Sequence, residues 1–569
     1  MPNLIKKTNP MLWGTLGYLF LFIFRPFEYW TWLGEYRIER VYMICLLTAL
    51  LFWRGKRYVH HPITSVFIVF FLVICFSNFI AYHPPAAIRQ TEEYFKLMVL
   101  FFVIILTVRD ENDFRVFIIG FIAIMGIYIG KSLWEFLVHG RHVYRMGIRR
   151  LVGIDQTYSD PNTFAASVVY SLPFAWALWK TDISKWLRRG LLGYGLMSLT
   201  AIVFTGSRSG MVTLVLFLTL AWAAGRARLS HKILGIVGVA IFLAVGWQIV
   251  PDEYKLRYLT MVDDSINESA TESAEGRIEG LKNGLRLFEL SPLFGWGAGN
   301  FPYAVERIGV YNRMQSHNLY GQLAADLGLL GIGAFCAVCW VLYRTSRKIQ
   351  GVAEKLGKAA DGGGALIPAA AGACMTTVLL LLFQGNFGHN LYRYTWLVIG
   401  AVLVLSERLI VKQLAEESRL RFNAYRLIFF TRFRKPVFVG DAAARVGDWV
   451  REICASRAAA VFRLGISGDR LGMVVFVPKR MSIDELARLI RAETTKKMFS
   501  EFKNLKDELF GKDLWEKVSA EPLPNEVVGK LIVQGLSRKR PPLSGENNVA
   551  HRVIDLPPSL PAAPPSRLR

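Results

Sequence analysis

The chain has 569 residues, of which 53% are hydrophobic, 13% aromatic and 20% charged. Soluble domains sit near ~45–50% apolar and ~25% charged, so this balance excludes a disordered chain, a collagen and a disulfide-rich secreted scaffold, and it argues against a soluble enzyme. The 68 Lys and Arg against 44 Asp and Glu leave a net charge of +24, which implies an apolar body with basic flanks or a basic appendage.

At the N-terminus, Lys6 and Lys7 precede an apolar run at 11–24. No small-residue cleavage site follows, so the run reads as an uncleaved first span. Stretches apolar enough to cross ~30 Å of hydrocarbon recur through the first 410 residues and predict about twelve transmembrane helices. They lie near 11–24, 39–53, 62–82, 95–108, 114–138, 162–179, 190–205, 210–225, 232–249, 318–343, 365–386 and 392–410. Placing the N-terminus inside puts the basic segments 54–61, 180–189, 226–232 and 344–358 on the inner face, as the positive-inside bias favours. The dominant outer loop then runs over 250–316. A second outer loop, 139–161, carries Arg141, Arg145, Arg149 and Arg150 against that bias, which makes it either a tolerated exception or an anion site.

Five of the six cysteines (Cys45, Cys75, Cys336, Cys339, Cys374) fall in apolar segments and Cys454 in the basic C-terminal part. None lies in a loop expected outside, so no structural disulfide is expected. The C-x-x-C spacing of Cys336 and Cys339 lies in an apolar helix and reads as packing.

Beyond residue 411 the chain carries 29 Lys and Arg against 18 Asp and Glu, +11 of the total +24, on the inner side. Strands are expected at 425–432 and 472–477 and helices at 441–455 and 482–498. The order strand–helix–strand–strand–helix predicts a small α+β domain over 413–536. The Pro-rich, polar segment 537–569 is expected to be disordered.

Three outward-facing motifs carry candidate chemistry. TGSRSG at 205–210 places Arg208 and Ser207 at a membrane boundary between glycines, where a guanidinium fork suits a phosphate oxygen; the plainer account is a snorkelling arginine that closes a turn. EGRIEGLKNGLRLFEL at 275–290 is an amphipathic helix through Ile278, Leu281, Leu285 and Phe288, with Arg277 at its start and Arg286 further along. On spacing alone a solvated charged face is the favoured account of that pattern. QSHNLYGQ at 315–322 offers Ser316 as N-cap, with His317 and Asn318 in the first helical turn. A helix N-terminus disfavours imidazolium, so His317 is expected to be neutral and able to take a proton, unless it only anchors the helix at the interface. His389–Asn390 is a second outward pair and a rival candidate.

Asp160-Pro161-Asn162 reads as a helix start, and GWGAGNF at 295–301 as a tight turn without the third glycine of a nucleotide loop. No cluster has metal-ligand spacing, and neither metal nor cofactor is expected.

Many spans, a large outer loop, GSRSG, an arginine-bearing helix followed by P-x-x-G-W-G-x-G-N-F, and SHN opening a helix together resemble the O-antigen ligase/polymerase family over roughly 60–410. The resemblance implies metal-independent, inverting transfer of a glycan from undecaprenyl diphosphate to an acceptor hydroxyl on the periplasmic face of the bacterial inner membrane. The protein would be multi-pass, with both termini cytoplasmic. Partners would be membrane lipids, the lipid-linked donor, and a glycan, lipid A core or protein acceptor. His317 matches the family's essential histidine, and Arg208 and Arg277 its diphosphate-holding arginines. Ser207, Asn318, Asn162, Arg145, Arg149 and Arg150 are supporting candidates. Asp326, where relatives often carry Glu, is expected to be structural. Guanidinium groups fixed around a lipid diphosphate stabilise the charge that grows on it as it leaves. Polymerisation of lipid-linked repeats and transport without chemistry are the competing readings.

The segments AYRLIFFTRFRKPVFVG, WVREICASR, GDRLGMVVFVPKRMSIDELARLI and FSEFKNLKDELFGKDLWE are similar to the single-tyrosine HUH transposases over about 422–536, which implies a ferredoxin-like fold. Where that family carries its metal-binding His-hydrophobic-His, this chain has Arg470-Leu471-Gly472, and VSAEPLP at 518–524 holds no tyrosine. Nuclease chemistry and a nucleic-acid partner are therefore not expected, and a basic patch for anionic lipid is one remaining use.

Overall fold

The computed structural model describes residues 8–56, 58, 60–145, 147–154, 160–224, 248, 251–259, 268–355, 366–509 and 513–537. It divides into two units, Met1–Glu407 and Arg408–Arg569.

The longer helices of the first unit are α1 (Pro10–Phe24), α2 (Ile38–Phe52), α3 (Pro62–Ser77), α4 (Pro84–Thr107) and α5 (Glu111–Leu137), followed by α6 (Pro161–Trp179), α7 (Lys185–Phe204), α8 (Arg208–Ala224) and α9 (Asp252–Leu259). Then come α10 (Glu268–Leu290), α11 (Leu319–Lys355), α12 (Leu366–Gln384) and α13 (Tyr394–Arg421), whose residues from Arg408 onward belong to the second unit. Four of them open on proline: α1, α3, α4 and α6. Proline at the first position loses no hydrogen bond there and presets the helical φ. Asn9 and Asp160 supply the side-chain caps for α1 and α6.

Helices occupy eleven of the twelve apolar segments expected from the sequence, and the segment 232–249 lies almost wholly outside the described residues. Among the described residues, five helices are long and apolar enough to cross a membrane: Pro62–Ile80, Glu111–Leu137, Leu319–Lys355, Leu366–Gln384 and Tyr394–Arg421. α3 packs on α11, α6 on α12, α1 on α5 and α10 on α11.

α11 is interrupted at Gly328, whose φ of 58° and ψ of −156° leave the helical region. A side chain there would strike the Leu293 and Gly295 backbone at about 2.7 Å, so only glycine fits. The break frees two amides, and the chain satisfies them from outside the helix: Leu329 donates to the Pro292 carbonyl at 2.8 Å and Leu330 to that of Leu293 at 3.1 Å. Just before the break, Asp326 is fully buried and accepts from the amides of Gly299 and Phe301, both at 2.9 Å, and from the Tyr392 hydroxyl at 3.1 Å. The 295–301 turn is thereby moulded onto α11, with Gly295, Gly297 and Gly299 all at positive φ.

A two-stranded hairpin, β1 (Val143–Arg145) and β2 (Ile148–Arg150), stands between α5 and α6. It is anchored by the Leu151 amide on the Phe204 carbonyl and by Ile148 packed with Tyr254 and Tyr258 of α9.

The second unit holds an antiparallel sheet in the order β4-β5-β3-β6, formed by β3 (Phe422–Thr431), β4 (Ala460–Ser467), β5 (Arg470–Pro478) and β6 (Trp515–Pro522). With α14 (Asp441–Ser456) and α15 (Ile483–Glu501) the connection is βαββαβ, the split-βαβ arrangement that the transposase resemblance implies. One core gathers Phe429, Val446, Trp449, Val475, Ile490 and Trp515, and Phe462 and Phe476 pack with Val528 of a last helix, α16 (Asn525–Ser537). β6 has no counterpart in the predicted strands because its sequence, WEKVSAEP, lacks an apolar face. The segment 538–569 lies outside the described residues.

Candidate active site

The 315–322 motif folds differently from its expected form. α11 begins at Leu319, and its cap is Asn318: Oδ1 accepts from the amides of Tyr320 at 2.9 Å and Gly321 at 3.0 Å. Ser316 instead donates to the carbonyls of Asn318 at 3.0 Å and Gly280 at 3.3 Å. Asn318 takes the cap because it directly precedes Leu319, so its Oδ1 reaches the second and third amides of the helix, and the docked 385–386 backbone holds it there. His317 therefore precedes the helix, and its φ of 48° is left-handed. A β-branched residue is disfavoured in that conformation.

This corner is held from two sides. α10 presses Gly280 and Gly284 onto it: a Cβ at Gly280 would meet the Ser316 carbonyl at 1.9 Å. Across from it, the Leu319 amide donates to the Gly385 carbonyl at 2.7 Å and Asn318 Nδ2 to that of Asn386 at 3.4 Å. The turn after α12 is thus docked beside His317, and the His389 ring lies 5.4 Å from it, centroid to centroid, at 60°.

A cavity of about 530 Å³ opens here. Its lining includes His317, His389 and four arginines, Arg145, Arg150, Arg277 and Arg393, against two carboxylates, Asp160 and Glu279. Among the described residues, no group of three His, Cys, Asp or Glu is placed to hold a metal ion.

Strand alternation sorts the basic hairpin. Arg145 pairs with Ile148, Tyr144 with Arg149 and Val143 with Arg150. Side chains two apart share a face, so Arg145 and Arg150 point one way and Arg149 the other. Arg145 and Arg150 accordingly line the cavity; Arg149 is exposed and does not. Arg150 is 1% exposed, donating through Nε to the Thr205 carbonyl at 2.7 Å and through Nη2 to Asn162 Oδ1 at 3.1 Å.

Asn162 Oδ1 also accepts from Ser207 Oγ at 2.8 Å, and Ser207 Oγ in turn accepts the Gly210 amide at 3.1 Å. Ser207 is therefore the cap of α8, with Arg208 as its first helical residue. Arg208 is half-buried and not among the lining residues. Its charge nonetheless reaches the site, where it lowers the titration of both Arg277 and Arg257. Gln384 ties α12 to α8, accepting from Thr213 at 2.5 Å and donating to Ser209 at 3.3 Å. Arg277 stacks over Phe387 at 5.6 Å.

Burial is the largest influence on the arginines. It pushes Arg150 and Arg257 each down to about 10 and lowers Arg277 as well, and their mutual repulsion acts in the same direction. All stay cationic near neutrality, so the wall is a held excess of positive charge that an anion would relieve. Burial likewise lowers His317; Asp160 opposes this, while Arg277 and Arg145 add to it. His389 is pushed down to about 3, by burial first and then by Arg393 and His317. Two neutral imidazoles thus share the cavity with four arginines.

Arg257, Arg393, Glu279 and Gln384 were not singled out in the sequence. For Arg257 a signal existed, because Tyr254, Arg257 and Tyr258 form an i, i+3, i+4 stripe that is buried in the structure.

Residues 193–336 match the family described as O-Antigen ligase, a span that contains Ser207, Arg208, Arg277, His317 and Asn318. Residues 422–518 match the family described as Transposase IS200 like. The C-terminal part is 25% identical over 91 residues to the ISDra2 transposase TnpA of Deinococcus radiodurans, covering 16% of this chain and 65% of that protein. It is 20% identical over 99 residues to the transposase for insertion sequence element IS200 of Salmonella typhimurium, covering 17% of this chain and again 65% of the relative. The chain thus spans somewhat less than two thirds of the curated relatives it matches. A crystal structure of a putative transposase from Deinococcus radiodurans aligns at 21% identity and a TM-score of 0.18, over 19% of this chain and 85% of that one. The chain therefore resembles the O-antigen ligase family over 193–336 and the IS200-like transposase family over 422–518.

Proposed function

We propose that the protein transfers a glycan from undecaprenyl diphosphate to an acceptor hydroxyl, with inversion, on the periplasmic face of the bacterial inner membrane. The observation that carries this reading is the placement of His317, held below its usual titration range, in one cavity with Arg145, Arg150 and Arg277. In the proposed step His317 takes the proton of the acceptor hydroxyl. The freed oxygen forms the bond to the anomeric carbon as the bond from that carbon to the diphosphate oxygen breaks. The diphosphate leaves with the electron pair, and Arg277 and Arg208 stabilise the charge it gains, supported by Arg145 and Arg150. About twelve spans, with both termini cytoplasmic, would put this cavity outside and the C-terminal domain inside.

The test is the size distribution of lipid-linked and mature surface glycan in a deletion strain complemented with wild-type, His317→Ala or Arg208→Ala protein. Full-length chains stranded on the lipid in both variants would establish a ligase. Single stranded repeats would instead make it a polymerase, and an unchanged profile at wild-type abundance would remove the catalytic reading. The C-terminal domain is proposed to lack nuclease activity, since Arg470 and Gly472 replace the metal-binding pair and no tyrosine follows in β6.

A further inference from the structure

Among the described residues, three buried polar atoms of residues lining the cavity have no hydrogen-bond partner: Asn283 Oδ1, His389 Nδ1 and Asn390 Oδ1. Asn283 and Asn390 are each 6% exposed. A buried polar group without a hydrogen bond is costly, and folded proteins leave few of them without a reason. Here three belong to residues that line the same cavity, one from α10 and two from the turn between α12 and α13.

The orientation of Asn390 is fixed. Its Nδ2 donates to the Leu381 carbonyl at 2.8 Å and lies 3.3 Å from the Tyr170 hydroxyl. A carbonyl only accepts, so the amide cannot be turned over and Oδ1 is the atom left over. Asn283 follows Gly276, Glu279 and Gly280 at i+7, i+4 and i+3, and all four line the cavity on one face of α10. Arg277 lines it from the same helix.

An amide oxygen is an acceptor without charge and offers a phosphate nothing. Its complement is a ligand that brings closely spaced O–H or N–H donors, as a sugar ring does. We propose that Asn283, His389 and Asn390 form a sugar subsite, in which the two Oδ1 atoms accept hydrogen bonds from hydroxyls of the first sugar attached to the diphosphate. This rests on the transfer reading and adds to it the place where the sugar is recognised. His389, neutral at physiological pH, adds no further positive charge to a lining that already holds Arg277 and Arg393.

The test uses the full-length protein in lipid nanodiscs and two probes, undecaprenyl diphosphate and the same lipid carrying one N-acetylglucosamine. The wild type should prefer the glycosylated lipid. Asn283→Leu, close to isosteric, should weaken glycosylated binding by roughly 5–10-fold and that of the sugar-free lipid by less than twofold, erasing the preference. Asn283→Asp keeps its acceptor oxygens and should keep the preference, and Asn390→Leu should repeat the Asn283→Leu result. Arg277→Ala should weaken both lipids. If the wild type shows no preference, or the Asn→Leu variants weaken both lipids alike or neither, the subsite is wrong even where Arg277→Ala confirms diphosphate binding. If Arg277→Ala changes neither affinity, the transfer reading itself falls.

Discussion

The imidazoles of His317 and His389 lie 5.4 Å apart at 60°, brought together because the amide of Leu319 bonds the carbonyl of Gly385. Two rings from distant parts of the chain thus share one pocket, both pushed toward the neutral form by burial. A group proposed to act as base must be neutral when substrate arrives, and here desolvation, more than any partner, favours that form.

That arrangement fixes a pH dependence. His317 accepts a proton only when neutral, so activity falls as pH drops through its titration point, which lies below the usual 6.5. Asp160 is the neighbouring charge that raises this point. Asp160→Asn should therefore move the acid limb of kcat to lower pH, while asparagine preserves the α6 cap. A wild-type limb above 6.5, or an upward shift in the variant, would contradict this assignment.

His317→Ala should lower transfer by about 10²–10⁴-fold with the protein still folded. Single-turnover rates on purified protein of unchanged thermal midpoint provide the check. A loss under tenfold would leave His317 as an anchor of the helix end.

The contact between α10 and the His317 corner predicts a contrast between two glycines one turn apart. Gly280→Ala places a methyl group 1.9 Å from the Ser316 carbonyl and should lower both the thermal midpoint and activity. Gly276→Ala meets nothing within 4 Å and should be neutral or stabilising by up to about 1 kcal/mol. Equal tolerance at both positions would show that the helices are not in close contact.

Asp326→Ala should be costly for stability rather than chemistry. It strands the buried amide of Phe301, the partly buried amide of Gly299 and the hydroxyl of Tyr392, a loss of roughly 3 kcal/mol. The readout is thermal unfolding in detergent, with residual activity at low temperature scaling with the folded fraction.

The transposase-like domain should not cleave DNA. Incubating the full-length protein with single-stranded DNA and Mn²⁺ should yield no nicked or protein-linked product. Either product would overturn the reading drawn from Arg470, Gly472 and β6.

What the sequence made legible was local. Asp160-Pro161-Asn162 starts a helix because a cap and a proline act within one turn, and the apolar runs became helices because hydrophobicity is additive along the chain. Less legible were choices settled by contact. Ser316 and Asn318 are both good caps, and only the docked 385–386 backbone selects Asn318. Arg145, Arg149 and Arg150 read alike until strand register turns one of them away. The place of Arg257 depends on a helix that packs across the hairpin, which no short window of sequence records.

The break at Gly328 bears on biogenesis. Pro292 and Leu293 leave the ribosome before Leu329 and Leu330 do, so the two acceptors that complete the broken helix are already synthesised when their donors emerge. Backbone already made therefore completes the broken helix, in an order set by the direction of translation.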